Sequence, residues 1–178
     1  MSIETIINRQ FAIANAQADA VTLPKQRIYA MCNLRGGIGK TTLSFNLSYL
    51  VDDLLAVDTC PQGNLSYFYD NNYYAGQQTN VKDMLLPYLV PGLGKATRVA
   101  AYIGATNQYF SDKHNFYIPS SEELYLLPSQ LISAINQTAG LQQAQKEQAL
   151  KSVLYSLETE IKRELSENNL NKCLIDTS

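Results

Sequence analysis

The sequence predicts an α/β fold, a mostly parallel sheet with helices on both faces. Three observations predict it. Short apolar runs of strand length occur at Arg27–Cys32, Leu54–Asp58, Leu124–Ser129 and Lys172–Asp176. Amphipathic patterns of helical length lie between them, the alternation that builds parallel sheets through crossover connections. Two of the runs end in a carboxylate, Asp58 and Asp176, and one runs into a glycine-rich turn.

The first two dozen residues form an N-terminal helical extension, residues 1–26. Ile3, Ile6, Ile7, Phe11 and Ala14 recur at helical spacing, and Pro24 with Lys25-Gln26 marks a break. Such a helix packs on its own domain or serves as a partner-binding arm. Residues 27–178 form the main domain. Arg27 to Cys32 is expected to be a buried strand, and a helix from about Thr41 to Val51 buries Leu43, Leu47 and Leu50. Leu54 to Asp58 is a second apolar strand. The Tyr/Asn-rich stretch from Tyr67 to Asn80 suits a surface loop, and Val81 to Leu89 a short helix. Pro91 to His114 predicts no secure element. Leu124 to Ser129 is expected to be a buried strand stopped by proline. From Gln142 to Glu167 a long helix sets Leu150, Val153, Leu154, Leu157, Ile161 and Leu165 in one stripe, opposite Lys151, Glu160 and Lys162. It reads as a crossover helix covering the sheet. Lys172 to Asp176 closes the pattern as a fourth strand.

Composition bounds the function. The 178 residues carry 14 Lys+Arg against 16 Asp+Glu, a net charge of -2, which excludes a uniformly basic nucleic-acid binder but not a local basic patch. With 46% hydrophobic and 17% charged residues the chain can bury a core. No apolar run approaches the ~20 residues that span a bilayer. Met1 to Gln10 lacks a basic segment followed by an apolar one, so no secretory signal is expected and the cytoplasm is the expected compartment. Cys32, Cys60 and Cys173 are far apart, and His114 is the only histidine, which argues against a disulfide framework or a structural zinc site.

The strongest signal is Arg35-Gly36-Gly37-Ile38-Gly39-Lys40-Thr41-Thr42 between a strand and a helix. Glycines let the backbone wrap around phosphate oxygens with several N–H groups pointing inward, and the following helix turns its positive end to the same oxygens. Lys40 would reach the β- and γ-phosphates, and the Thr41 hydroxyl would ligate Mg²⁺. Three fixed glycines, a lysine and a hydroxyl residue coincide by composition at about a few per million positions. The fold expected is therefore P-loop NTPase-like.

An ordinary phosphate loop carries glycine where Leu34 stands. The loop instead resembles the variant Lys-Gly-Gly-x-Gly-Lys-Thr-Thr, with Arg35 in the first lysine's place, and so resembles the ParA family of partition ATPases within the deviant-Walker-A group. Val57-Asp58-Thr59-Cys60-Pro61-Gln62-Gly63-Asn64 resembles that family's Asp-x-Asp-Pro-Gln-Gly-Asn segment, and Cys173-Leu174-Ile175-Asp176-Thr177 its Walker B strand. Leu124 to Ser129 resembles its strand ending in Pro-Ser.

The resemblance implies an ATPase that binds ATP and Mg²⁺. Arg35, Gly36, Gly37, Ile38, Gly39, Lys40, Thr41 and Thr42 would hold the nucleotide. Thr41, Asp58 and Asp176 would serve the metal, and Arg35, Lys40 and Asp58 catalysis. It further implies an ATP-dependent homodimer in which Arg35 reaches the partner's phosphates, non-specific binding of DNA, and a ParB-like or other stimulating adaptor. No membrane partner is expected. Such a cycle would position a plasmid, chromosome or other cargo. The chain is expected to be the N-terminal portion of a longer protein. Cys60 occupies the place of the family's second aspartate, so hydrolysis is expected to be slow, and Cys60→Asp to raise turnover. The other readings are a hydrolysis-poor ATP-dependent clamp, a MinD-like membrane-surface ATPase, and a ligase or synthetase on the same fold.

Overall fold

The computed structural model describes residues 27–33, 35–73, 79–89, 99–137 and 143–177. The helical extension expected at 1–26 lies outside them. The elements run β1 (Arg27–Met31), α1 (Lys40–Leu50), β2 (Leu54–Asp58), α2 (Asn64–Tyr69), α3 (Val81–Leu89), β3 (Ala101–Tyr102), β4 (Phe116–Ile118), α4 (Leu127–Gln137), α5 (Gln143–Glu167) and β5 (Lys172–Asp176). Short 3₁₀ turns lie at Ile103–Ala105, Gln108–Phe110 and Glu122–Tyr125. The sheet order is β1-β5-β2-β4-β3. All neighbours are parallel except β3, which runs antiparallel to β4. The α/β fold with helices on both faces is thus the observed one.

Strand β2 shows why both faces are covered. All five of its residues are buried, and successive side chains leave a strand on opposite sides. Leu55 and Val57 join Ile118 and Cys173 against Val81 and Met84 of α3 and Ile161 and Leu165 of α5. Leu54 and Ala56 join Tyr117 and Leu174 on the other face, against Leu65 and Tyr69 of α2 and the partly buried Phe45 and Leu47 of α1. At ~25 cal/mol per Å² of buried apolar surface, these two clusters are the principal stabilising contribution.

Several expectations are corrected. Strand β1 is not buried: among the described residues it is an edge of the sheet, and Ile28 is 36% exposed with Ala30 also exposed. Helix α1 buries Ser44 and Ser48 instead of Leu43, which is 47% exposed. Hydroxyls share the inner face because it meets a carboxylate and a tyrosine hydroxyl as well as the apolar cluster that Phe45 and Leu47 join. Ser44 Oγ donates to Asp176 Oδ1 at 3.0 Å, and Tyr69 OH donates to Ser48 Oγ at 2.6 Å.

Leu124 to Ser129 is not a strand. Ser121 accepts a hydrogen bond from Glu123 N at 3.3 Å and starts a 3₁₀ turn, while Tyr125 and Leu126 are exposed. Pro128 sits in the first turn of α4, where a missing N–H costs nothing. The strand that ends in Pro-Ser is instead Phe116–Ile118, followed by Pro119-Ser120. Finally, Glu160 is buried rather than on a polar face. It accepts from Arg163 Nε at 2.7 Å, and its neighbour one turn on, Glu164, accepts from the backbone N–H groups of Val99 and Ala100. The N–H groups of the two residues before β3 find their acceptor in this carboxylate of helix α5.

The Tyr/Asn-rich stretch is only partly a loop, since Tyr67 to Tyr69 belong to α2 and Tyr69 and Tyr73 are buried. The helix expected at Val81–Leu89 is present with those bounds. Among the described residues no helix is long and apolar enough to cross a membrane.

Candidate functional site

The site forms where three parallel strands end level with one another. Met31 of β1 and Asp58 of β2 both stand beside Asp176 of β5. This is the carboxyl edge of the sheet, where open α/β folds bind ligands. Three further bonds stitch the edge together. Thr59 N and Oγ1 donate to the Asp176 carbonyl at 3.0 and 2.7 Å, and Thr177 Oγ1 donates to the Met31 carbonyl at 2.7 Å.

The glycine-rich loop leaves β1 over this edge. Gly37 and Gly39 adopt φ of 71° and 82°, a left-handed conformation that disfavours any residue with a Cβ. A Cβ built on Gly36, Gly37 or Gly39 would meet no atom within 4 Å, so the space above the loop is open. Gly39 is the N-cap of α1 and provides no side-chain cap, which leaves the first-turn N–H groups directed outward. Lys40 Nζ folds back to donate to the Arg35 carbonyl at 3.2 Å, and Arg35 N donates to Asn33 Oδ1 at 2.8 Å. The Lys40 side chain thus bridges the loop from the first residue of α1 back to Arg35. The loop opens into a pocket of ≈ 400 Å³ lined by Gly36 to Thr42 together with Gln62 and Asn64. Arg35, just before the first lining residue, is exposed.

Thr41 and Asp176 meet directly. Thr41 Oγ1 donates to Asp176 Oδ2 at 3.0 Å, and Asp176 is fully buried. A hydroxyl beside a carboxylate offers two hard oxygens, the donor type that suits Mg²⁺. Among the described residues no group of three or more His, Cys, Asp or Glu could hold a metal ion by itself. A cation here would therefore rely on Thr41, Asp176, waters and the phosphates of a nucleotide.

Asp58 has a different setting. Its Oδ1 accepts from Cys60 N at 3.0 Å, and its Oδ2 accepts from Ser66 N and Ser66 Oγ, both at 2.8 Å. Burial pushes its carboxyl up to about 6; the bonds from Ser66 and Cys60 work the other way, and nearby Asp176 adds to the rise. Cys60 is 4% exposed. Burial raises its thiol pKa, bonds from Gln62 and Gly63 lower it, and the charges of Asp58 and Asp176 raise it further. It stays a neutral thiol at pH 7.

Of the residues the sequence places in the site, Gly36 to Thr42 line one pocket and Thr41 meets Asp176, while Arg35 and Asp58 are not among the residues that line it. Three contributors carried signals in the sequence without being assigned roles there. Gln62 and Asn64 belong to the Pro-Gln-Gly-Asn run, and their place in the pocket wall follows from that turn. Ser44 lies one helical turn after Thr41, and that spacing alone puts both hydroxyls on the face toward Asp176.

A family model described as an AAA domain matches residues 26–177. No curated protein matches the chain. Among solved structures, an ATP complex of McdA from Cyanothece is 21% identical, with a TM-score of 0.51, over 86% of this chain and 48% of that one. Protein DIP2308 from Corynebacterium diphtheriae is 16% identical, with a TM-score of 0.55, over 85% and 52%. A plasmid partition protein from Borrelia burgdorferi is 18% identical, with a TM-score of 0.49, over 87% and 56%. The chain spans about half the length of the solved structures it matches.

Proposed function

This chain belongs to the AAA domain family, and from that premise we propose that it is a ParA-type P-loop ATPase that binds Mg-ATP and works as a nucleotide-switched dimer on DNA. The observation that carries the reading is the pocket lined by Gly36 to Thr42, with Lys40 bonded back to the Arg35 carbonyl and Thr41 bonded to Asp176. Loop amides and the α1 N-terminus would take the phosphate oxygens, and Lys40 would leave the Arg35 carbonyl for the β- and γ-phosphates. Thr41 and Asp176 would hold Mg²⁺, directly or through water. The ion would neutralise charge that develops on the phosphate oxygens.

A hydrolysis-poor clamp is a second reading, favoured by one observation. Cys60, in the place of the family's second aspartate, is a buried neutral thiol, and a thiol accepts a hydrogen bond from water only weakly. Turnover in both readings is slow, and the readings differ in whether DNA or an adaptor accelerates it. Retention on DNA that requires ATP and falls with salt would support the DNA step. Retention independent of ATP would overturn it.

Arg35 would complete the partner's site, as the residue in its place does in the family. Arg35→Ala is expected to leave ATP affinity within about threefold and to weaken ATP-dependent dimerisation by an order of magnitude or so, the loss of one or two charge-assisted hydrogen bonds. Sedimentation with a slowly hydrolysed analogue reads this; a dimer of unchanged strength would return Arg35 to the solvated surface.

Asp176→Ala removes the acceptor of two hydroxyls as well as the metal's carboxylate. It is expected to raise the Mg²⁺ midpoint of hydrolysis about tenfold or more, and to cost roughly 1–3 kcal/mol of stability for each orphaned hydroxyl. A Mg²⁺ titration and a thermal melt check the two parts separately. An unmoved midpoint would place the ion elsewhere.

A further inference from the structure

Gln62 and Asn64 line the phosphate pocket although neither belongs to the phosphate loop. Gln62 is an exposed side chain on the turn between β2 and α2, which Gly63 N closes by donating to the Cys60 carbonyl at 2.9 Å, and Asn64, also exposed, is the first residue of α2. The turn allows little freedom. Gly63 has φ of 65°, and a Cβ there would come within 2.5 Å of the Tyr73 ring.

A buried polar ring holds this turn from behind. Asp58 accepts from Cys60 N and from both the backbone and the hydroxyl of Ser66. Ser66 Oγ in turn accepts from Ser120 N at 3.0 Å, and Ser120 Oγ donates to the Cys60 carbonyl. Tyr73 OH donates to the Ser120 carbonyl. Asp58, Ser66 and Ser120 are each at most 1% exposed. The ring therefore grips the N–H and the carbonyl of Cys60 from opposite sides, and it ties the turn to the residues that follow β4. Three protein donors occupy most of the acceptor sites of one carboxylate, which leaves little of Asp58 for a metal. In a satisfied buried network of this kind each bond reinforces its neighbours, so loss of one loosens the whole.

We infer that Asp58, Ser66 and Ser120 are positioning residues that hold the side-chain amides of Gln62 and Asn64 against the terminal phosphate of the bound nucleotide. The inference rests on the reading of the pocket as an ATP site. Gln62 and Asn64 are then the residues that touch the reacting end, and Asp58 serves them rather than the metal.

The test is single-turnover hydrolysis of Mg-ATP and fluorescent-ATP binding, across a Mg²⁺ titration, by the full-length protein and its Gln62→Ala, Asn64→Ala, Ser66→Ala and Asp58→Asn variants. Ser66→Ala and Asp58→Asn are expected to slow the chemical step about tenfold or more, because misplacement of a reacting contact by an ångström costs that much. ATP affinity should move less than about threefold, since the loop contacts are untouched. The Mg²⁺ midpoint should stay where it is in both. At least one of Gln62→Ala and Asn64→Ala should reproduce the slowed step, and these exposed positions serve even if Ser66→Ala does not fold.

A wild-type rate in Ser66→Ala would overturn the inference. So would a shifted Mg²⁺ midpoint in Asp58→Asn alone, or wild-type rates in both amide variants. If the unmodified protein binds no ATP, the pocket reading itself fails and takes the inference with it; if it binds and hydrolyses ATP while the variants behave as wild type, only the inference fails.

Discussion

Lys40→Ala is expected to weaken ATP binding by about 100-fold or more, the largest binding effect of any single change at the site. Hydrogen bonds to charged groups contribute about 1.5–3 kcal/mol each, and Lys40 is the one loop side chain whose ammonium faces both outer phosphates in this reading. In the free protein the same ammonium does little. It donates to the Arg35 carbonyl at 3.2 Å in an exposed setting, and exposed contacts of this kind contribute about 0–1 kcal/mol. The melting temperature without nucleotide should therefore stay within a few degrees of wild type. The two measurements together make the result diagnostic. Calorimetric titration with Mg-ATP should lose its signal while the unliganded melt is unmoved. Affinity within about threefold of wild type would remove the phosphate-loop assignment, because the reading sends the other loop cation, Arg35, to the partner's phosphates and leaves Lys40 alone to supply the charge in its own site.

The sequence carried the parts of this site that depend on local backbone chemistry. Glycines at 37 and 39 with positive φ, a lysine at the first position of a helix and a hydroxyl after it are requirements a short run of residues can state. Asp176 was equally legible, since an apolar run ending in a carboxylate marks the carboxyl edge of a strand. What was not legible depends on which element lies next to which. The inner face of α1 breaks its apolar periodicity with Ser44 and Ser48, because strand β5, far along the chain, brings Asp176 beneath it. Periodicity alone chose Leu43, which faces outward.

Two Pro-Ser pairs competed for the end of the third strand, and the more apolar flank misled. Leu124 to Leu127 is richer in leucine than Phe116 to Ile118, yet only the latter lies in register with β2, pairing Leu55, Ala56 and Val57. The exposure of β1 was hidden for the same reason. A strand's place in the sheet order is a property of topology, and Arg27 to Met31 has the composition of a central strand. The ring of Asp58, Ser66 and Ser120 joins residues from three separate segments, so no motif could announce it.

Cys60→Asp is expected to lower stability strongly and to have opposite effects on stability and on rate. The residue is 4% exposed and lies beside Asp58 and Asp176. A carboxylate placed there would be the third in one buried cluster, and burial with like charge already raises Asp58 to about 6. An uncompensated buried charge costs about 3–5 kcal/mol. For a domain of this size that amounts to a melting temperature lower by about 10 °C or more without ligand. Mg-ATP should recover much of the loss, because the ion's positive charge answers the added carboxylate and binding to the folded state stabilises it by mass action. In the liganded protein the carboxylate can accept a hydrogen bond from the attacking water, which the neutral thiol does poorly. Single-turnover hydrolysis at saturating Mg-ATP should then rise several-fold, a gain of about 1 kcal/mol in the barrier. The pairing of the two readouts separates the possibilities. A melting temperature equal to wild type would mean that a side chain at this position turns out of the cluster. A fall in stability with no gain in rate would mean that the water is oriented from elsewhere. Gln62 and Asn64, already in the pocket wall, would then be the side chains to vary next.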